Sequence, residues 1–147
     1  MALKLNLPRL LAAAAVYVII AQIIFTIGAM ADMPYYMDAA YSDVWSKVMM
    51  PAAGPPPAEF YYASILFQAV YGFLFAFVYT VIKGAVPGKG WKNKGLMYGF
   101  LVFLVAGVSD LGMVLLVNLP MALVLSWVLQ GLVVYLLAGL AAAKIVK

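Results

Sequence analysis

Residues 95–143 read GLMYGFLVFLVAGVSDLGMVLLVNLPMALVLSWVLQGLVVYLLAGLAAA, and a single charged side chain, Asp110, interrupts them. The stretch divides at Asn118-Leu119-Pro120 into two apolar runs, 95–117 and 121–143. About 20 residues of helix cross a hydrocarbon core, so each run is long enough to span a membrane. The two- or three-residue turn makes the runs tight antiparallel neighbours. Pro120 fits the start of the second, where its missing amide hydrogen costs nothing. Further back, residues 10–31 and 60–82 supply two more runs of the same kind.

The chain is therefore read as all-α. It is a polytopic membrane protein with four transmembrane helices in an antiparallel bundle, at about 10–31, 60–82, 95–117 and 121–143. Together with an outer amphipathic helix they form a single membrane domain, 1–147. Composition agrees. Of 147 residues 68% are hydrophobic and 10% charged, and the mean hydropathy is +1.08, whereas soluble domains carry about 25% charged residues. Ala29 and Ala31 form a small-x-small pair after the first run, but that run is too long for an ordinary signal segment and is read as a retained span. Cysteine and histidine are both absent, so disulfides, thiolate metal sites and axial His ligation of haem have no side chains in this chain to build on.

The basic residues give the orientation. Lys4 and Arg9 precede the first span, Lys83, Lys89, Lys92 and Lys94 occupy the link between spans two and three, and Lys144 and Lys147 follow span four. Lys47 alone falls on the other side, together with Asp32, Asp38, Asp43 and Glu59. Under the positive-inside rule both termini and the middle link are cytoplasmic, in a multi-pass protein of the inner (plasma) membrane. The 83–94 link reads as a topogenic charge cluster made flexible by Gly84, Gly88 and Gly90, with Trp91 as an interfacial anchor; an anionic-lipid contact is the alternative. The net charge of +4 is accounted for by orientation and calls for no nucleic-acid partner.

About 28 residues separate spans one and two. Tyr41, Val44, Trp45, Val48 and Met49 recur at helical spacing, with Ser42, Asp43, Ser46 and Lys47 opposite them. The pattern predicts an outer interfacial helix of about four turns over 34–50, lying on the membrane surface or folded over the bundle mouth. Asp32 and Pro34 start it; Pro51, Gly54 and Pro55-Pro56-Pro57 end it. Tyr35, Tyr36, Tyr61 and Tyr62 suit the same interface. Met30, Met33, Met37, Met49, Met50 and Met121 gather on this side; thioethers bind Cu(I), but they form no dense tract and read as packing residues. Neither a metal nor a cofactor is expected.

Asp110 is the one acid within the four spans, and each of the other spans holds one glutamine: Gln22, Gln68 and Gln130. At 1.5 Å per residue, all four lie ~12–15 Å below the outer boundary. Ser64 and Ser126 stand one turn from Gln68 and Gln130. Two accounts of this layer compete. In one, the amides hydrogen-bond a protonated Asp110 and act as interhelical glue; in the other, Asp110 and the amides hold a cation, proton or polar solute. A lone carboxylate does not resemble a hydrolytic pair, so catalysis is the weakest reading and no catalytic residue is named.

Spans two and four share a register, Ser64-x-x-x-Gln68-Ala69 against Ser126-x-x-x-Gln130-Gly131, as a duplicated hairpin would; spans one and three barely agree. Gly95-x-x-x-Gly99, Gly131, Gly139, Ala14 and Ala21 offer faces for close helix packing or dimerisation. The expectation is a non-catalytic membrane interaction or accessory subunit, in contact with lipid and with its own copies or other membrane subunits. The alternative is a small oligomeric channel or transporter using Asp110.

Overall fold

The computed structural model describes residues 5–49 and 58–146, with side chains from 5–47 and 58–146. Lys4 and Lys147 of the charge argument, the side chains of Val48 and Met49, Met50, and the Pro51–Pro57 return lie outside them.

The described residues form helices and turns, most of them α-helical. Helix α1 covers Leu7–Ala31, opened by the Asn6 side chain accepting from the Arg9 amide at 3.2 Å and by a proline in the first turn. Such a cap satisfies one of the donors that a helix start leaves unpaired. Helix α2 is the single turn Met33–Tyr36. Three further helices, α3 (Ala58–Ile82), α4 (Gly90–Leu111) and α6 (Met121–Ile145), are long; α5 (Met113–Leu116) is a short continuation of α4 beyond Gly112. Counting α4 and α5 together, four helices are long and apolar enough to cross a membrane, an architecture consistent with a polytopic bundle. The turn between α3 and α4 depends on Gly88 and Gly90, whose φ angles of 119° and 73° lie in the left-handed region that L side chains avoid.

The long helices stand in the order α3, α1, α6, α4, each packed chiefly on its neighbours in that row. Contacts run antiparallel. Gly95 meets Gly139, and Gly99 meets the Tyr135 carbonyl; Gly72 meets Ala14 and Tyr17, and Gln68 meets Gln22. On the α4–α6 seam backbone meets backbone, since a Cβ on Gly95 would come 2.6 Å from the Gly139 carbonyl oxygen. The Gly95/Gly99 pair thus makes an interface within the chain, the close approach that small residues permit when lipid is the solvent. Tyr98 joins the ends of the row. It is 1% exposed, donates its hydroxyl to the Phe75 carbonyl at 2.6 Å, and packs against the Phe75 and Tyr79 rings at 4.7 and 5.1 Å.

The lysine-bearing end is closed by cations on helix C-termini. Lys94 donates to the Lys83 carbonyl at 2.9 Å, and Lys83 to the Val146 carbonyl at 3.2 Å, where the helix dipole favours positive charge. Lys92 and Lys144 both lie 5.7 Å from the Trp91 ring.

At the opposite end the segment before α3 differs from the single helix of about four turns that its periodicity predicts. It comprises α2, a 3-10 turn at Ala39–Tyr41 and a π-helical stretch at Val44–Met49. Asp38 causes the break. Its backbone is extended, with φ −73° and ψ 121°, and its carboxylate accepts from the Ala40 amide at 2.9 Å, a local bond that competes with the helix ladder. The apolar side of the segment still finds a core. Tyr35, Tyr36, Val44 and Trp45 pack with Trp127 against Leu119, Leu123 and Val124, so the segment folds onto the α5–α6 end of the helices.

Candidate functional site

Two interhelical clasps and one groove hold five of the six polar residues singled out within the spans. The first clasp begins at Asp32, which ends α1 and sends its amide to the Gly28 carbonyl at 2.8 Å. Its side chain is 4% exposed. Ser126 Oγ and Gln130 Nε2 donate to the same carboxylate oxygen at 2.9 and 3.0 Å, and Gln130 Nε2 also lies 3.0 Å from Ser126 Oγ. Ser126 and Gln130 are four residues apart on α6, hence on one face. Gly28 is part of the design: the Gln130 amide occupies the space where its Cβ would stand. A buried carboxylate is costly unless it is hydrogen-bonded, and these two donors answer that cost.

Above this clasp Trp127 Nε1 donates to the Tyr36 hydroxyl at 3.0 Å, Trp45 Nε1 to the Tyr35 carbonyl at 3.3 Å, and Trp45 meets Tyr36 edge-on at 5.2 Å. Burial pushes the Tyr36 phenol above its ordinary value of 10.0; the Trp127 hydrogen bond opposes the shift and the Asp32 charge adds to it.

The second clasp joins α1 to α3, with Gln22 Nε2 donating to Gln68 Oε1 at 3.3 Å. Ser64 is half-buried one turn away and joins neither clasp.

Asp110 stands apart from both. It is exposed, near the end of α4, and lines a groove of ≈ 560 Å³ bounded by Tyr71 and Val78 of α3, Leu101 and Val105 of α4, and Tyr135 of α6. Tyr135 is close enough to interact electrostatically with the Asp110 carboxylate. The groove follows from the row of helices: α3 and α4 end the row, and beyond the Tyr98–Phe75 bond, toward Asp110, no hydrogen bond joins them among the described residues.

The six residues of the expected polar layer are therefore distributed rather than gathered. Gln22 is joined to Gln68, and Gln130 and Ser126 to Asp32. Ser64 is near the first pair, and Asp110 faces the groove. Depth along a helix is readable from rise per residue, whereas azimuth depends on which face packs. Gln130 and Gly139 are nine residues apart, which at 3.6 residues per turn places them on opposite faces of α6. Because Gly139 packs on α4, Gln130 is turned toward α1. Asp32 has the sequence character of an outer charge; the signal for its role is Gly28 one turn earlier, a gap into which a neighbour's amide fits.

No protein-family model, curated protein or solved structure matches this chain.

Proposed function

We propose that the protein is a non-catalytic integral-membrane component, an accessory or interaction subunit of a larger assembly, with its termini and the 83–94 link on the cytoplasmic side. One observation carries this reading. Four of the six polar residues singled out within the spans, with Asp32, tie one helix to another. Paired amides and a doubly hydrogen-bonded buried carboxylate fix helix positions, which is the work of an architectural component. Purification of the tagged chain from its native membrane in a mild detergent tests it. A partner subunit at fixed stoichiometry is expected. Recovery of the chain only by itself, alone or as a homo-oligomer, would sink the accessory reading.

A second reading, a small oligomeric transporter for a cation, proton or polar solute, is favoured by one feature: Asp110 is the spanning acid left out of both clasps and it lines a groove. Flux in proteoliposomes that disappears in Asp110→Asn is its expected result. An absence of flux for monovalent cations, protons and small polar solutes removes it.

A further inference from the structure

The groove between α3 and α4 is long. It extends from Ile82 to Tyr71 along α3 and from Tyr98 to Asp110 along α4, ~17 Å of helical rise at 1.5 Å per residue. An extended hydrocarbon chain can lie along that length in contact with the side chains of both helices.

The walls carry the same message. Val78, Leu101 and Val105 are apolar, and Asp110 is at one end. An ionisable group at membrane depth is costly to leave unpaired. On this side of the membrane the chain is poor in cations: Lys47 is the one basic residue between Arg9 and Lys83, and it is 3.1 Å from Asp43 in an exposed pair.

We infer that the α3–α4 groove is a binding site for a single-chain amphiphile with an ammonium head, the hydrocarbon tail lying along Val78, Leu101 and Val105 and the head at the Asp110 carboxylate. Charge complementarity supplies the choice of head, and the apolar walls supply the choice of tail. The site rests on the reading in which Asp110 serves a ligand, but binding does not require transport. Binding without flux would remove the transporter and leave the site standing.

The same head chemistry has two sources, a free alkylammonium ion and a choline-headed lysolipid. The test titrates the purified chain in neutral maltoside micelles with dodecyltrimethylammonium, with lysophosphatidylcholine and with dodecanol, counting bound molecules per chain by native mass spectrometry. One saturable site for at least one of the ammonium amphiphiles is expected, and the arm that binds identifies the source. Asp110→Asn weakens that binding at least about tenfold, as removal of one member of a poorly hydrated charge pair does, while Asp110→Glu keeps it and dodecanol fails to distinguish the variants. Leu101→Trp, or Val105→Trp should the former misfold, blocks the groove and abolishes binding in a chain of unchanged helicity. Equal affinity in wild type and Asp110→Asn would overturn the proposal. So would Asp110-dependent binding of a polyleucine transmembrane peptide carrying one lysine when neither amphiphile binds, since the occupant would then be a helix.

Discussion

Asp32→Ala removes the acceptor on which α1 and α6 meet. Two hydrogen bonds disappear, from Ser126 at 2.9 Å and from Gln130 at 3.0 Å. Interhelical hydrogen bonds in membranes contribute on average ~0.6 kcal/mol and at most ~1.7, so the pair accounts for about 1–3 kcal/mol. The Ser126–Gln130 contact within α6 survives, which favours the lower half of that range. Asp32→Asn keeps an oxygen of the same reach and costs less, under about 1 kcal/mol. The assay is reversible unfolding in mixed micelles followed by helicity, with a double-mutant cycle pairing Asp32→Ala and Gln130→Leu. The expected coupling is about 0.6–1.7 kcal/mol, because either single substitution already breaks the shared bond. If the two losses add within ~0.3 kcal/mol, as independent sites do, the clasp contributes nothing and α1 is held on α6 by other contacts.

The remaining predictions concern the surroundings of that clasp, the helix seam and the orientation. Gly28→Ala destabilises the chain by about 1–3 kcal/mol through overpacking against Gln130, yet it is neutral or stabilising in a Gln130→Ala background, where Ala only improves the helix; a penalty that persists in the double variant refutes the steric argument. Gly99→Leu drives a side chain into the Tyr135 carbonyl and separates α4 from α6, lowering the micellar unfolding midpoint more than the same change at the open Gly84; equal effects at the two positions would contradict the seam. The folded Tyr36 phenol stays neutral to a pH above 10.0, so its contribution to stability is complete below that value and is lost as pH rises through the raised folded value. Tyr36→Phe should remove this alkaline component from the unfolding midpoint, and an unchanged pH profile counts against burial of Tyr36. The sequence has no cysteine, so single Lys47→Cys and Lys92→Cys variants can be labelled without background: a membrane-impermeant maleimide added to intact cells should modify the first and spare the second, and the reverse pattern would invert the topology.

How much of the fold and the site is legible in the sequence depends on which coordinate of a helix is in question. Length and apolarity place the long helices, because crossing a hydrocarbon core needs a fixed run of residues. The start at Leu7 and the end at Ile145 extend beyond the apolar runs because the Asn6 cap and the lysine at the end of α6 continue a helix into polar surroundings. Rise per residue also places Gln22 level with Gln68, and the two are hydrogen-bonded. Rotation about the helix axis is a different matter. It is fixed by the packing of glycines, and only when Gly95 and Gly99 are seen against Gly139 does Gln130 turn away from Asp110 and toward α1. The outer segment illustrates the opposite failure: its periodicity is sound, since Tyr41, Val44 and Trp45 are all partly buried, but one Asp38 side chain bonding to its own neighbourhood is enough to break the helix.

Asp32 and Asp110 thus differ from the roles that composition assigns them. Asp110, within an apolar run, has the sequence character first of a structural centre and second of an ion or solute site; Asp32, at a run's end, has that of a solvated loop charge. Burial reverses this. Asp32 is 4% exposed with two donors on one oxygen, and so ties α1 to α6. Asp110 is exposed at the end of a groove with apolar walls, and so retains its hydrogen-bonding capacity for something outside the chain. A carboxylate that has its donors stabilises a fold, and one that lacks them favours a ligand that brings its own. On the proposals made above, Asp32 belongs to architecture and Asp110 to recognition. It follows that Asp32→Ala should shift the unfolding midpoint while ammonium-amphiphile binding persists in the folded fraction, whereas Asp110→Asn should do the reverse; if both substitutions moved both quantities together, the division of labour between the two acids would collapse.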